Sequence, residues 1–496
     1  MAPTLPSGLR AALPFDPALV CIAGQWRRPQ GLHTLPLIDP STGVELGRVA
    51  RAGAPEIDAA VQAARCALRP DEPGSWAQAS PHERGLCLQR IAALVRERVD
   101  ELARLEALDA GLPLSRGRAD AMALARRLEG WAATVGLTGS SAHPAMPGQT
   151  LLSWREPLGV IGLMLPTQGS LTLLGDCVGA ALAAGNACIV KPAETVVLSV
   201  LAFAHICHEA GLPAGTLNVV PGLSQEAGAA LVEHPGVAQV TVAGSAQTAA
   251  AVRALAGRHG KDITVLQVGS LPQLVFEDAD LDRAVPELVA AGVHRSGQSL
   301  MRPTCILARR EIHAELLERM ALRYRQLRVG TALADRDLGP MASPHRRDQV
   351  ESQIAFAAES GLRLVAQGEI DAEAAALGGH WVRPTLLTPW TTAWTRRIAI
   401  DPAGPVQVVL AFDDEDEAVE LTHACEQLRG VGLWTRDGAR QWRLAHGLRC
   451  DRISVNGADD PAATSTAAGL APSHAAWGMD LRERYTRVKS LRISHD

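Results

Sequence analysis

The sequence predicts an α/β protein of two tandem α/β domains with parallel-type sheets. Two observations carry this. From Gly159 onward, five short apolar runs (GVIGLML, ACIV, LNVV, VAQVTVA and ITVLQV) alternate with helical segments such as LTLLGDCVGAALAA and VVLSVLAFAHICHEAG. The rhythm returns from Cys305 with CILARR, RLVAQG, VQVVLAF, GVGLWT and RISVNG. Short buried runs separated by helices mark βαβ units, because parallel strands need a crossover long enough to hold a helix.

The elements outside this rhythm follow in order. ALVCIAGQW and LPLID are short strands, and the Asp39–Gly43 turn (DPSTG) joins the second to VELGRVA. Pro55 opens an amphipathic helix, EIDAAVQAARCAL. Ser80 and Glu83 form a capping box with Pro81 at the first helical position. A further helix runs from about Ser115 to Trp131, followed by a Gly/Ser/Pro-rich link to about Gly148. The final YTRVKSLRIS alternates and can pair as a strand, with another part of the chain or another subunit.

Composition excludes several classes. At 496 residues, with 47% hydrophobic residues, 20% charged residues and a net charge of −5, there is no basic stripe for nucleic acid or an anionic membrane. Five Phe and two Tyr leave the core to be built mainly from Ala, Leu and Val. Nine scattered cysteines without a CxxC pair read as reduced thiols, which predicts a cytoplasmic protein. The first sixteen residues lack a basic stretch followed by an apolar one. The most apolar segment, Ala180 to Phe203, is broken by Lys191, Pro192 and Glu194, which argues against a membrane span.

Several local patterns imitate sites. His205 and His208 in HICHE share a helix face, but no further ligand follows, so a surface helix end is the better reading. Asp278, Asp280 and Asp282 resemble the start of a calcium loop without its glycine and closing glutamate, so helix capping is expected there. The acidic run Asp413–Glu417 suits a helix N-terminus. Neither GxGxxG nor a Walker A motif occurs.

The stretch from Asp262 to Met301 decides the functional reading. An apolar strand ends in VGSLP, a second strand (QLVF) follows, Asp280 opens a helix, and Gly297-Gln298 closes it. Together with DPSTG, GVIGLMLP, ALAAGNACIVKPAE, HEAGLPAGTLNVVPG, EDADLDRAV, AGPVQVV and YTRVK, in order and at matching spacing, it resembles the aldehyde dehydrogenase superfamily from about Val20 to the C-terminus. The resemblance implies a nucleotide-binding domain (17–131 and 156–261), a catalytic-type domain (262–458) and an oligomerisation element (132–155 and 480–496). It also implies NAD or NADP as cofactor and a homo-oligomer, a dimer or tetramer.

In that family a cysteine thiolate adds to the aldehyde, an Asn amide holds the oxyanion, and a Glu activates water against the thioester. Carried over by position, the cysteine of GQxC becomes Leu300, the glutamate of ELGGKSP becomes Leu266, and the asparagine of PWNFP becomes Gln168. The lysine of the next helix becomes Cys177. Ser299 has no evident base, and Cys305 begins the next strand. The implied cofactor residues are retained unevenly. Lys191 and Glu194 of KPxE are present, as are Gly244 and Ser245 of GSTxxG, while Ser224 replaces a glycine and Asp401 a glutamate.

The sequence therefore points to a catalytically inactive aldehyde dehydrogenase-like protein with weakened NAD or NADP binding. Its expected role is a structural or regulatory subunit assembling with itself or an active paralogue. The alternatives are an NAD(P)-dependent aldehyde dehydrogenase with an atypical active site, and a nucleotide-binding sensor.

Overall fold

The five apolar runs after Gly159 are neighbours in one seven-stranded sheet. Its order is Asp262–Gln267, Gln239–Gly244, Val160–Met164, Ala187–Lys191, Leu217–Val219, Val20–Ile22 and Gln25–Arg27. The first five pair in parallel, and the N-terminal hairpin closes the edge antiparallel. The computed structural model describes residues 13–137, 139–146, 148–390, 403–457 and 479–495. Helices cover both faces, so alternate residues of one strand feed two cores. Ile161, Leu163, Cys188 and Val190 join one cluster, while Val160, Met164, Ala187 and Ile189 join the other.

The runs from Cys305 build a second seven-stranded sheet. Its order is Leu362–Gln367, Thr385–Pro389, Val406–Phe412, Cys305–Arg309, Gln273–Val275, Gly430–Trp434 and Arg452–Val455. Only the Leu362–Gln367 pairing is antiparallel. Thr385–Pro389 was not foreseen. Its short apolar core lies between Pro384 and Pro389, which reads locally as a turn, and pairing on both sides makes it a strand. Two short parallel strands, Gly269–Ser270 and Met301–Arg302, lie in the Asp262–Met301 region and its continuation.

A third sheet has three strands. Thr486–Ser494 pairs antiparallel along the whole of Gln149–Pro157, which also pairs with Ser141–Met146. The link expected to be irregular therefore contains strands, and the preceding helix runs over Leu114–Thr134. Tyr485 bolts this element to the first sheet. It is fully buried, its hydroxyl bonds that of Thr241 at 2.9 Å, and its carbonyl accepts from Leu158 N and Asn186 Nδ2.

Local signals behave as their chemistry dictates. Ser80 and Glu83 complete the capping box, and Asp280 and Asp414 cap the helices Leu281–Val293 and Glu415–His423. Asp278 does something else. It accepts hydrogen bonds from Thr435 Oγ1 and the backbone N–H groups of Arg436 and Asp437, tying down the loop after Gly430–Trp434. The Ala180–Phe203 segment divides between a helix end, the strand Ala187–Lys191 and the helix Leu198–Glu209. Among the described residues, no helix is long and apolar enough to cross a membrane, and no three metal-ligating side chains converge.

Candidate functional site

The loop that follows the Asp262–Gln267 strand, which carries Leu266, meets the loop carrying Leu300. Gly269 N donates to Leu300 O at 2.8 Å, and Leu271 N to Arg302 O at 2.9 Å. The loop turns sharply before Leu300, with Arg295, Ser296 and Gly297 all at positive φ (52°, 54° and 72°). Gly297 is obligatory, because a Cβ there would fall 2.0 Å from Gly404 backbone atoms. The two non-glycine residues hold a conformation that costs about 1–3 kcal/mol each and must be over-determined by their surroundings.

The side chains at the two decisive positions are hydrocarbon. Leu266 is 3% exposed inside the larger core cluster of the first sheet, alongside Leu171, Leu173 and Leu174. Leu300 is half-buried and packs against the same cluster. Neither can donate an electron pair or accept a proton.

Around them the polar groups are reorganised. Gln168 is buried and spends one amide N–H on Ala110 O at 3.0 Å. Next to it, Gly169 leaves room for the Arg295 guanidinium, which would lie 2.4 Å from a Cβ at that position. Arg295 pairs with Asp120 at 2.8 Å, both almost fully buried. Two further carboxylates lie below. Asp109 caps the Leu198–Glu209 helix by accepting from Val197 N and Leu198 N at 2.8 and 2.7 Å, and Glu106 accepts from Ser199 Oγ.

Burial pushes Glu106 up to about 7 against the Ser199 hydrogen bond, and raises Asp109 well above the usual range. A raised carboxylate favours folding below its unfolded value, and that contribution is lost as pH climbs through the folded value. Glu106→Gln is therefore expected to lose less stability than the parent between pH 5 and pH 8, as read by thermal unfolding midpoints.

Ser299 has a partner that the sequence did not reveal. His294 Nδ1 lies 2.7 Å from Ser299 Oγ. The two are five residues apart, and only the left-handed turn between them folds one back on the other. The pair has nucleophile-and-base composition but not its energetics. Burial and the charges of Arg295 and Arg116 push His294 down to about 2, far from the neutral range where a base works well. Ser299 is also buried. Cys305 opens its strand in contact with Cys425, and that contact with burial pushes its thiol well up, opposite to the shift a nucleophile needs. Burial likewise pushes up the thiol of Cys177.

The nucleotide half presents a different picture. Lys191 ends its strand 2% exposed, and burial pushes its ammonium down to about 8 despite Glu194. Its Nζ donates to Ser224 Oγ at 3.1 Å, while Glu194 accepts from Ser224 N at 2.8 Å. Gly228 lies close by, and a Cβ there would come 2.8 Å from Met164 Cε and 3.9 Å from Lys191 Cδ. Gly244 ends the neighbouring strand, and Ser245 caps the helix Ala246–Arg258 by accepting from Thr248 N at 3.2 Å. A buried ammonium with unspent donors, a carboxylate and a helix N-terminus suit the hydroxyls and phosphates of an adenosine diphosphate unit. Lys191, Glu194, Gly244 and Ser245 are the residues that would hold it. Asp401 lies outside the described residues.

The pattern of the Aldehyde dehydrogenase family matches residues 26–491. A peroxisomal aminoaldehyde dehydrogenase of Malus domestica is 31% identical over 97% of this chain and 96% of its own. A hydroxyisobutyraldehyde dehydrogenase of Mycolicibacterium austroafricanum is 33% identical over 89% and 86%. A Burkholderia cenocepacia crystal structure named for the same family is 40% identical, with TM-score 0.91 over 97% of this chain and 100% of that one. The NAD⁺ complex of a Bacillus cereus aldehyde dehydrogenase is 27% identical, with TM-score 0.89 and both chains fully covered.

Proposed function

The chain belongs to the aldehyde dehydrogenase family, and from that premise we propose that it is a catalytically inactive member, a structural or regulatory subunit that binds NAD or NADP weakly. The observation that carries this reading is the packing of Leu266 and Leu300 against one apolar cluster where the family chemistry needs a base and a thiolate. A bound dinucleotide would supply a hydride acceptor, but these two side chains can neither form the covalent adduct that donates the hydride nor release the acid.

Weak rather than absent cofactor binding follows from Ser224. Its hydroxyl takes one of the three Lys191 donors, so a ribose would have to share the ammonium with it. Ser224→Gly keeps the backbone N–H that serves Glu194 and returns that donor to the ammonium. It is expected to tighten NAD⁺ binding several-fold in calorimetric titration, and an unchanged affinity would remove this account of the weakness.

The outer edge of Thr486–Ser494 supports an assembly role. Val488, Leu491 and Ile493 are exposed on this edge strand, a template for pairing with a second copy or an active paralogue. The expected cytoplasmic location belongs to the same proposal.

A second reading is an NAD(P)-dependent aldehyde dehydrogenase with an atypical active site. Its support is the naming of the relatives as dehydrogenases and the contact between Ser299 and His294. The discriminating experiment gives the purified full chain NAD⁺ or NADP⁺ and a panel of aldehydes, following absorbance and covalent adducts by mass spectrometry. The inactive reading expects no adduct and turnover below about 10⁻³ s⁻¹, against about 1–10³ s⁻¹ for ordinary enzymes. Turnover in the ordinary range sinks it, and a mapped adduct names the nucleophile.

A further inference from the structure

Two thiols that take no part in the proposed function meet beside the second sheet. Cys305, 4% exposed, begins the central strand of that sheet, Cys305–Arg309. Cys425 lies two residues past the helix Glu415–His423, half-buried, and packs against the cluster to which Cys305 belongs. The two side chains are in hydrogen-bonding contact. Cys425 Sγ donates to Leu421 O at 3.6 Å, and a sulfur that donates there can still accept from Cys305.

The chain on either side of this contact leads to the same short strand. Past Cys425, Ser270 Oγ donates to Glu426 O at 2.8 Å, Ser270 N to Gln427 O at 3.0 Å, and Arg429 N to Ser270 O at 3.0 Å. Ser270 is paired with Arg302 in the strands Gly269–Ser270 and Met301–Arg302, and Cys305 follows Arg302 closely in the chain. Gly269 N in turn donates to Leu300 O. A bond between the two sulfurs would close a ring through Ser270 and fasten the loop that carries Leu300.

We propose that Cys305 and Cys425 form a redox-responsive pair, reduced at rest and converted to a disulfide by a hydroperoxide. Cys425 is the more accessible thiol and meets the oxidant first. Its sulfur attacks the outer peroxide oxygen, the O–O bond breaks, and a sulfenic acid and an alcohol form, or water where the oxidant is hydrogen peroxide. The Cys305 sulfur then displaces the sulfenic hydroxyl, which leaves as water with the Cys305 proton. The two electrons lost by the sulfurs are those gained by the peroxide. Burial and the Cys425 contact hold the Cys305 thiol well above its usual range, so the closing step is slow and relies on contact rather than on acidity. In a reducing compartment such a pair acts as a transient sensor, not a permanent brace.

The test treats the full chain with hydrogen peroxide, then alkylates, digests and maps it by mass spectrometry. The expected product is a cross-linked peptide pair joining Cys305 to Cys425, reversed by dithiothreitol and absent from Cys425→Ser. In Cys305→Ser, which keeps Cys425 without its partner, dimedone is expected to trap a sulfenic acid on Cys425 that the parent does not accumulate. The link closes a loop of about 120 residues, and hydrogen exchange at the Ser270 and Arg429 amides is expected to slow about tenfold in the oxidised chain. A link from Cys425 to Cys450, which borders the same cluster, a scatter of linkages, or oxidation confined to the exposed Cys66 overturns the proposal. Parent-like exchange in the cross-linked chain overturns the fastening of the Leu300 loop. The map of the parent decides the pairing even if a variant fails to fold.

Discussion

Leu266→Glu, which places there the residue that the proposed reading assigns to an active family member, is expected to destabilise the protein by about 4 kcal/mol at pH 7 and to restore no dehydrogenase activity. Leu266 is 3% exposed within a cluster of Leu and Val side chains. A carboxylate placed there gains no partner among those neighbours, and an uncompensated buried charge costs about 3–5 kcal/mol. Burial raises its folded-state pKa above the ~4.3 of a free glutamate. The charge penalty is therefore absent below the unfolded value, grows as pH rises, and levels off above the folded value. Denaturant unfolding at pH 4.5 and pH 7.5 checks this, with the larger loss at the higher pH. If the variant is as stable as its parent at both, position 266 faces an open, hydrated cleft, and the picture of a filled site falls.

Asp120→Ala carries the second large effect, an expected loss of about 3–5 kcal/mol. It leaves the Arg295 guanidinium in a nearly water-free site without the carboxylate 2.8 Å away. Replacing the pair together, by Asp120→Leu with Arg295→Met, is expected to recover most of that loss, because the larger penalty belongs to the orphaned charge. A double-mutant cycle in denaturant measures both. Additive losses would mean that the two residues are not coupled across the fold.

What the sequence revealed and what it hid divide along sequence distance. Runs such as GVIGLML and VQVVLAF were readable because a strand buried on both faces is apolar throughout, a property of the run itself. Leu266 and Leu300 were singled out by the motifs that flank them, and in the fold both meet one apolar cluster. Arg295 was not, since its partner Asp120 lies 175 residues earlier and its space exists only because Gly169 lacks a side chain. His294 beside Ser299 depended on two non-glycine residues adopting left-handed backbone, which no local propensity favours. Ser224 looked like a lost glycine, but folded it is the group that holds both Lys191 and Glu194.

The C-terminal strand has a consequence for how the protein is made. Gln149–Pro157 finds a partner on one edge in Ser141–Met146, but the other edge waits for Thr486–Ser494. Some 330 residues separate the two strands along the chain, so at about 5–20 residues per second the ribosome needs roughly 15 to 65 seconds to supply the missing strand. Thr241 likewise waits for Tyr485 inside a core that is otherwise already translated. For that interval the nascent chain carries an unpaired β edge, and a holding chaperone or a neighbouring chain can occupy it before its own terminus arrives.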